Sequence, residues 1–458
     1  MIVKSIQPLT ALIVLALFAS SVSNAFAAGN YLYVQSNNVA EGKNSVIAYE
    51  RHDDGSLTPH ASGPFMTGGT GINNNTNGKL GPNDNDSPIV VSADKKRLFA
   101  VNGHSNSIAA FSVQSDGSLK HVKGSPFDSM GINPVSLAIS GDVLLVANRN
   151  EDPHQLDALR GGANSSYVSF KIANDGSLTY LSKSELTDGQ KSTQILVSSR
   201  DSRIAFGNDF QVDADFDGEG DVSKLFGNAQ QVRGRLHAFK ISNNPGDLHP
   251  IDQQVLPETV TPAPDVPSVP LGIWDHPKKN LLYVGLVTRN QLGVYRYDDD
   301  GKLSFVTSVP NSGQDICWVK TNKAGTRLYA VNNLPREDRG DAASSITVFD
   351  ISGSRAEHPV EISRTELPLP LGTFVNNRNG SQPNSTAFQF DVDDSDKFLY
   401  VINQRINQTP GNQSKTGNIL HILKIHDSGN LSVVGSRHLA QDGVTFDSRP
   451  QGVVSVDL

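Results

Sequence analysis

Carboxylates at alternate positions are the first sign of chemistry in this sequence. Asp213-Ala214-Asp215-Phe216-Asp217-Gly218-Glu219-Gly220-Asp221 puts Asp213, Asp215, Asp217 and Asp221 at positions 1, 3, 5 and 9, with Gly218 at position 6. Oxygens at that spacing around a glycine turn suit a hard cation, and calcium is the metal expected. The competing reading is an acidic surface hairpin. An EF-hand loop would place a bidentate glutamate at position 12, where this chain has Lys224. A second group of candidates follows a recurring pattern: Asn102, Asn148, Asn208, Asn332 and Asn403 each end an apolar, strand-like run. Beside them stand His104, Arg149, Asp209 and Arg405, and Arg289 follows a comparable run. In a common pocket, Asp209 or His104 is the expected base for activating water, and Arg149 or Arg289 the expected clamp for an oxyanion or carboxylate. Arg405 and the five asparagines are then substrate-binding candidates. Asparagine also bonds to nearby backbone and tolerates left-handed conformations, so the asparagine series serves equally as a turn device.

The elements that must position these groups recur along the chain. Short runs of the Leu-Tyr-Val type occur at 31–34, 97–101, 143–147, 203–207, 281–285, 327–331 and 398–402. Each is followed by an alternating apolar/polar run, at 46–49, 108–111, 167–170, 236–239, 292–295, 346–349 and 419–423. Alternation with β-branched and aromatic residues is the pattern of a half-buried strand. A glycine turn then precedes a leucine at Gly55, Gly117, Gly176, Gly246, Gly301 and Gly429; the sixth unit alone lacks it. Six units also have a further strand ahead of the Leu-Tyr-Val strand. The first unit has none, and the C-terminal run Gly452–Val456 has the form of the missing one. The expected fold is therefore all-β: a seven-bladed β-propeller of four-stranded antiparallel blades, closed by pairing N- and C-terminal strands in one blade.

The insertions at 151–164, 210–234, 334–343 and 404–416 leave equivalent strand ends, so they crowd one face of the disc. That face is the candidate binding surface.

Residues 1–27 read as a cleaved signal peptide: Lys4, an apolar run over 11–19 and the small-x-small pattern Ala25-Phe26-Ala27. Residues 28–458 are then one propeller domain, secreted or periplasmic, with no transmembrane segment in the mature chain. Cys317 is the only cysteine, which excludes an internal disulfide and a cysteine zinc cluster. The net charge of −8 and the absence of Lys/Arg runs argue against nucleic acid as a partner.

The phrase Ser92-Ala93-Asp94-Lys95-Lys96-Arg97-Leu98-Phe99-Ala100-Val101-Asn102, with Ile108-Ala109-Ala110-Phe111 and Asp116-Gly117-Ser118-Leu119, resembles the seven-bladed lactonase family. That family includes propeller-type 6-phosphogluconolactonase and carboxymuconate lactonizing enzyme. The resemblance implies hydrolysis or cyclisation of a lactone, with a small-molecule lactone or organic acid as partner and no organic cofactor. Where the family's histidines, arginines and glutamate are expected, this chain has Gln194, Pro270-Leu271-Gly272, Leu286, Ala387 and Phe388. The acidic loop at 213–221 resembles the shorter calcium loops of integrin-type blades. The alternative function is a non-catalytic, calcium-stabilised propeller that binds an envelope protein.

Overall fold

In the computed structural model, the residues described are 29–72, 86–150, 164–187, 190–211, 234–256, 270–369, 374–377, 380–383, 385–405 and 417–458. They form seven antiparallel sheets of at least four strands, and among them only short 3-10 turns interrupt the β-structure. Blades are numbered here by their second strand in chain order, and strands from the axis outward. Blade 2 is Ile89–Val91, Arg97–Asn102, Ser107–Val113 and Leu119–His121. Blade 3 is Pro134–Ser140, Val143–Asn148, Ser166–Ile172 and Leu178–Glu185; blade 4 is Gln190–Val197, Ile204–Gln211, Arg235–Ile241 and Leu248–Val255. Blade 5 is Pro270–Asp275, Leu281–Leu286, Gln291–Tyr297 and Leu303–Pro310; blade 6 is Gln314–Thr321, Arg327–Leu334, Ser345–Asp350 and Val360–Glu366. Blade 7 is Ser385–Val392, Phe398–Arg405, Ile419–Ile425 and Leu431–His438. A hairpin, Phe374–Asn377 with Gly380–Pro383, lies outside these sheets.

Blade 1 is made from both ends of the chain. Its innermost strand is Gln451–Asp457, paired antiparallel with Asn30–Gln35 so that Tyr31 faces Val456 and Tyr33 faces Val454; Ser45–Arg51 and Leu57–Pro59 complete it. The innermost strands touch their neighbours all the way round, so the ring closes as the repeat count requires.

The core is divided among the seams between blades. Seven buried apolar clusters are found, one per seam. Trp318, fully buried, anchors the seam between blades 6 and 7.

The turn glycines serve the same seams. Gly55, Gly117, Gly176, Gly246, Gly301 and Gly429 all have positive φ, as their turns require. Each also lies under the first residues of the preceding blade's second strand: a Cβ on Gly117 would come within 2.2 Å of the Tyr31 ring, and one on Gly55 within 2.3 Å of Phe398. Tyrosines of the Leu-Tyr-Val strands tie across the same joints, with Tyr33 Oη donating to Gly117 O at 2.8 Å. In blade 6 the missing glycine turn is replaced by the 3-10 turn Gly353–Ala356, and Tyr283 Oη donates to Ala356 O at 2.9 Å. Gly117→Ala therefore meets two penalties, a strained φ and a clash at the seam, and should cost about 2–4 kcal/mol in urea unfolding. Gly42 also has positive φ, but an added Cβ there meets nothing within 4 Å, so Gly42→Ala should cost only about 1 kcal/mol. Equal losses would show that the seam contact does not matter.

Candidate functional site

Antiparallel pairing places the start of each innermost strand beside the end of the second strand. Pro134 lies opposite Asn148, Pro270 opposite Leu286, Gln314 opposite Leu334 and Ser385 opposite Arg405. These positions ring one mouth of the channel, at the end where the second strands stop. In six blades the innermost strand has one residue more than its partner near this mouth; Thr193, Gly452 and the Cys317-Trp318 pair mark three of these bulges. Bulges bend a strand and re-aim its side chains, and they are common beside active sites. Ser87, Asn133, Asp315 and Gly452 adopt positive φ at or just before the start of an innermost strand. The alternating sequence pattern gave no sign of these bulges, because one extra residue does not disturb the run of apolar types.

The mouth is rich in cations. Arg149, Lys191, Arg405 and Arg449 are buried there, and Arg289 sits on the 3-10 turn Val287–Arg289. Arg149 N donates to Asn133 O at 2.9 Å, and Lys191 Nζ to Asn150 O at 3.1 Å. Arg405 donates to Phe446 O at 2.6 Å. Burial lowers the pKa of both Arg289 and Arg405 from the usual guanidinium value. Side-chain amides at Asn133, Asn150 and Asn403 are buried with neither amide atom hydrogen-bonded among the described residues. Buried polar atoms without partners are uncommon, and their grouping marks a place suited to water or a polar ligand.

The other sequence candidates fall as follows. Asn102 is built into the seam of blades 1 and 2: its Oδ1 accepts from Asn44 Nδ2 (2.8 Å) and Thr67 Oγ1 (2.6 Å). Asn208 Nδ2 donates to Pro270 O and Leu271 O at 2.7 and 2.8 Å, and Asn332 Nδ2 to Thr347 Oγ1 at 2.9 Å. Asn148 Nδ2 donates to Ser129 O at 3.0 Å. Half-buried His104 follows the second strand of blade 2, and its backbone N–H reaches Thr70 O at 3.3 Å. Asp209 is fully buried and hydrogen-bonded to His237 Nε2, with Arg235 at 3.9 Å. His237 was not singled out in the sequence; its register opposite Gly207, two residues from Asp209 on the neighbouring strand, is what brings the pair together. The proposed calcium ligands Asp213, Asp215, Asp217 and Asp221 lie outside the described residues, as does the signal segment. Among the described residues no group of three or more His, Cys, Asp or Glu is placed for a metal ion. No described helix is long and apolar enough to cross a membrane.

Two carboxylates that the sequence did not mark stand at or below this mouth. Asp315, half-buried at the start of blade 6, is pushed up to about 6 by burial. Its backbone N–H donates to Asn290 Oδ1 at 2.5 Å, and Asn290 directly follows Arg289. Asp86, fully buried, is also pushed up to about 6 by burial, against the opposing pull of Lys320. Asp86 accepts from Gln194 Nε2 at 3.3 Å, and Gln194 Oε1 accepts from Ile273 N at 2.7 Å. Lys320 lies 3.1 Å from Asp391 and 4.7 Å above the Trp274 ring, while Asp391 accepts from Ser455 N at 2.8 Å. Burial pulls the Lys320 pKa down, but Asp391 and Asp86 outweigh it and hold the ammonium above its usual range.

Asp86 gives a pH signature. Its folded-state pKa exceeds the unfolded value of 3.8, so the folded chain holds this proton more tightly. The stability that proton provides is complete below pH ~4 and is lost as pH rises through ~6, with a slope of at most about 1.4 kcal/mol per pH unit. Asp86→Asn cannot ionise, so its stability relative to wild type should improve between pH 4.5 and 7. Urea midpoints at the two pH values measure this, and a difference that does not change with pH would contradict it.

The fold is that of a seven-bladed β-propeller. Residues 23–158 match the family model described as lactonase, 7-bladed beta-propeller, a span that runs from before blade 1 into blade 3. The resemblance to that family read from the sequence is borne out. No curated protein matches the chain. Among solved structures, a putative 6-phosphogluconolactonase of Bacteroides fragilis is 15% identical over 94% of this chain and 99% of its own, with a TM-score of 0.59. The periplasmic gluconolactonase of Pseudomonas aeruginosa is 15% identical over 93% of this chain and 99% of its own, with a TM-score of 0.60. A hypothetical selenium-binding protein of Sulfolobus tokodaii is 10% identical over 94% and 95%, with a TM-score of 0.58. At these identities the likeness is one of fold.

Proposed function

We propose that this protein is an exported lactonase that hydrolyses a small lactone at the mouth where the second strands stop. The observation that carries the reading is the meeting, at one mouth, of five cationic positions with Asp315, a half-buried carboxylate whose pKa lies near 6. A carboxylate tuned toward neutrality is suited to take a proton from water. In the reaction, Asp315 removes that proton as the water oxygen bonds to the lactone carbonyl carbon. Arg289 stabilises the oxyanion; the ring C–O bond then breaks, and the leaving alkoxide takes up the proton. Arg149 and Arg405 hold the polar groups of substrate and of the hydroxy-acid product. The family match and the periplasmic gluconolactonase of the same fold support lactone chemistry, and the N-terminal signal pattern supports export.

The purified mature protein should open at least one member of a panel of sugar lactones and γ-lactones, with acid release followed in a pH-stat. Arg289→Met should lower kcat by about 10²-fold, the usual loss when one oxyanion donor is removed. The acidic loop at 213–221 is proposed to take calcium, so a chelator should lower the melting temperature. Calcium-dependent melting without turnover of any lactone would instead favour a binding propeller.

A further inference from the structure

On the face opposite the mouth, blades 6 and 7 part around a cavity of about 330 Å³. It is lined by Tyr329 and Arg327 of blade 6 and by Asp396, Lys397, His426 and Asp427 of blade 7. Tyr329 occupies the position of the seam tyrosines. Tyr33 donates to Gly117 O and Tyr400 to Gly55 O, each across to the next blade's turn glycine. The equivalent bond would run from Tyr329 to Gly429, but no hydrogen bond from Tyr329 Oη to Gly429 O is found among the described residues, although Tyr329 is only 1% exposed. Both Tyr329 and Gly429 line the cavity instead. Arg327 takes up the joint: it donates to Thr326 O at 2.8 Å and to Asp350 Oδ1 at 3.2 Å, and its guanidinium lies over Gly429. Its Nε is buried and lacks a hydrogen-bond partner among the described residues. The tyrosine bond that ties the joints at Tyr33, Tyr283 and Tyr400 is thus missing here, and the phenol lines the space instead.

We infer that this cavity is a binding site for a neutral, polyhydroxylated ligand, a sugar ring. The lining sets Lys397 and Arg327 against Asp396 and Asp427, and Asp350, which pairs with Arg327, is matched by Arg355, so no net charge is offered to an ionic ligand. A strongly charged ligand would leave like charges facing it in a half-buried space. What the lining does offer is donors and acceptors side by side, and hydroxyl groups can meet both. The volume is at the small end of ligand pockets, about 300–1,000 Å³, which fits one or two sugar rings. For a ligand of this size the dissociation constant should be on the order of 1 mM.

Saturation-transfer NMR with D-glucose, D-galactose and sucrose tests the inference. At least one of these sugars should bind to the wild-type protein and should still bind to Arg149→Met, which alters only the opposite mouth. Tyr329→Phe keeps the ring and removes the hydroxyl, and should weaken binding about fivefold, the worth of one hydrogen bond. Asp396→Asn should weaken it comparably. Absence of transfer from all three sugars overturns the assignment. So does loss of binding in Arg149→Met, unchanged affinity in both Tyr329→Phe and Asp396→Asn, or stronger binding of gluconate than of glucose. None of these readouts depends on lactone turnover.

Discussion

Arg51→Met should destabilise the ring by about 3–5 kcal/mol, measured as a fall in the urea midpoint at constant slope. Arg51 stands on the third strand of blade 1, at the seam where the chain's ends meet. Its Nη1 lies 3.2 Å from Asp393 Oδ2 of blade 7, and both side chains are only 4% exposed. Its Nη2 pairs with Asp457 on the C-terminal strand, and its Nε donates to Tyr31 O at 3.2 Å. The guanidinium lies 5.8 Å from the Tyr400 ring centre. Replacing this one side chain leaves a buried carboxylate unpaired, which costs far more than the pair itself contributes. Adding Asp393→Asn should therefore recover part of the loss, because the stranded charge is removed. The exposed pair Lys171–Asp142 is the control, and Lys171→Met should cost less than about 1 kcal/mol. A loss at Arg51 no larger than that at Lys171 would mean that the closing seam does not depend on this ion pair.

That seam shows what the sequence makes legible and what it does not. The closure was readable, because a repeat lacking its first strand at one end and carrying a spare strand at the other admits one arrangement, and Tyr31 does face Val456. The turn glycines were readable as turns, since positive φ is a local demand. Their second task, lying under the previous blade's strand, was not, because the contact joins residues such as Tyr31 and Gly117 with no shared local pattern. Arg51 is harder still: its partners Asp393 and Asp457 are separated from it by 342 and 406 residues. At the mouth, the sequence marked residues that follow strand ends, so it found Arg149, Arg289 and Arg405. It passed over Asp315 and Asp86, whose character comes from burial at the starts of innermost strands. Burial of that kind depends on seven strands converging, and no window of sequence carries it.

Asp315→Asn should lower kcat for lactone opening by about 10²–10⁴-fold while changing KM little, the range for loss of a general base. The geometry behind this is the half-buried carboxylate beside the Arg289 turn, with Gln314 Nε2 donating to its Oδ1 at 2.9 Å. Burial raises its pKa to about 6, and a base works only when deprotonated. The rate should therefore climb as pH rises through about 6 and level above it, and the variant's residual rate should lose that inflection. Asp209→Asn separates the two carboxylates. Asp209 is fully buried against His237, so its replacement should disturb the seam of blades 3 and 4 and lower stability, with little effect on the pH inflection. If Asp209→Asn instead abolishes turnover in a folded protein while Asp315→Asn retains the wild-type profile, the base belongs to the Asp209–His237 pair. The reacting centre would then move from the start of blade 6 to the Asp209–His237 pair of blade 4.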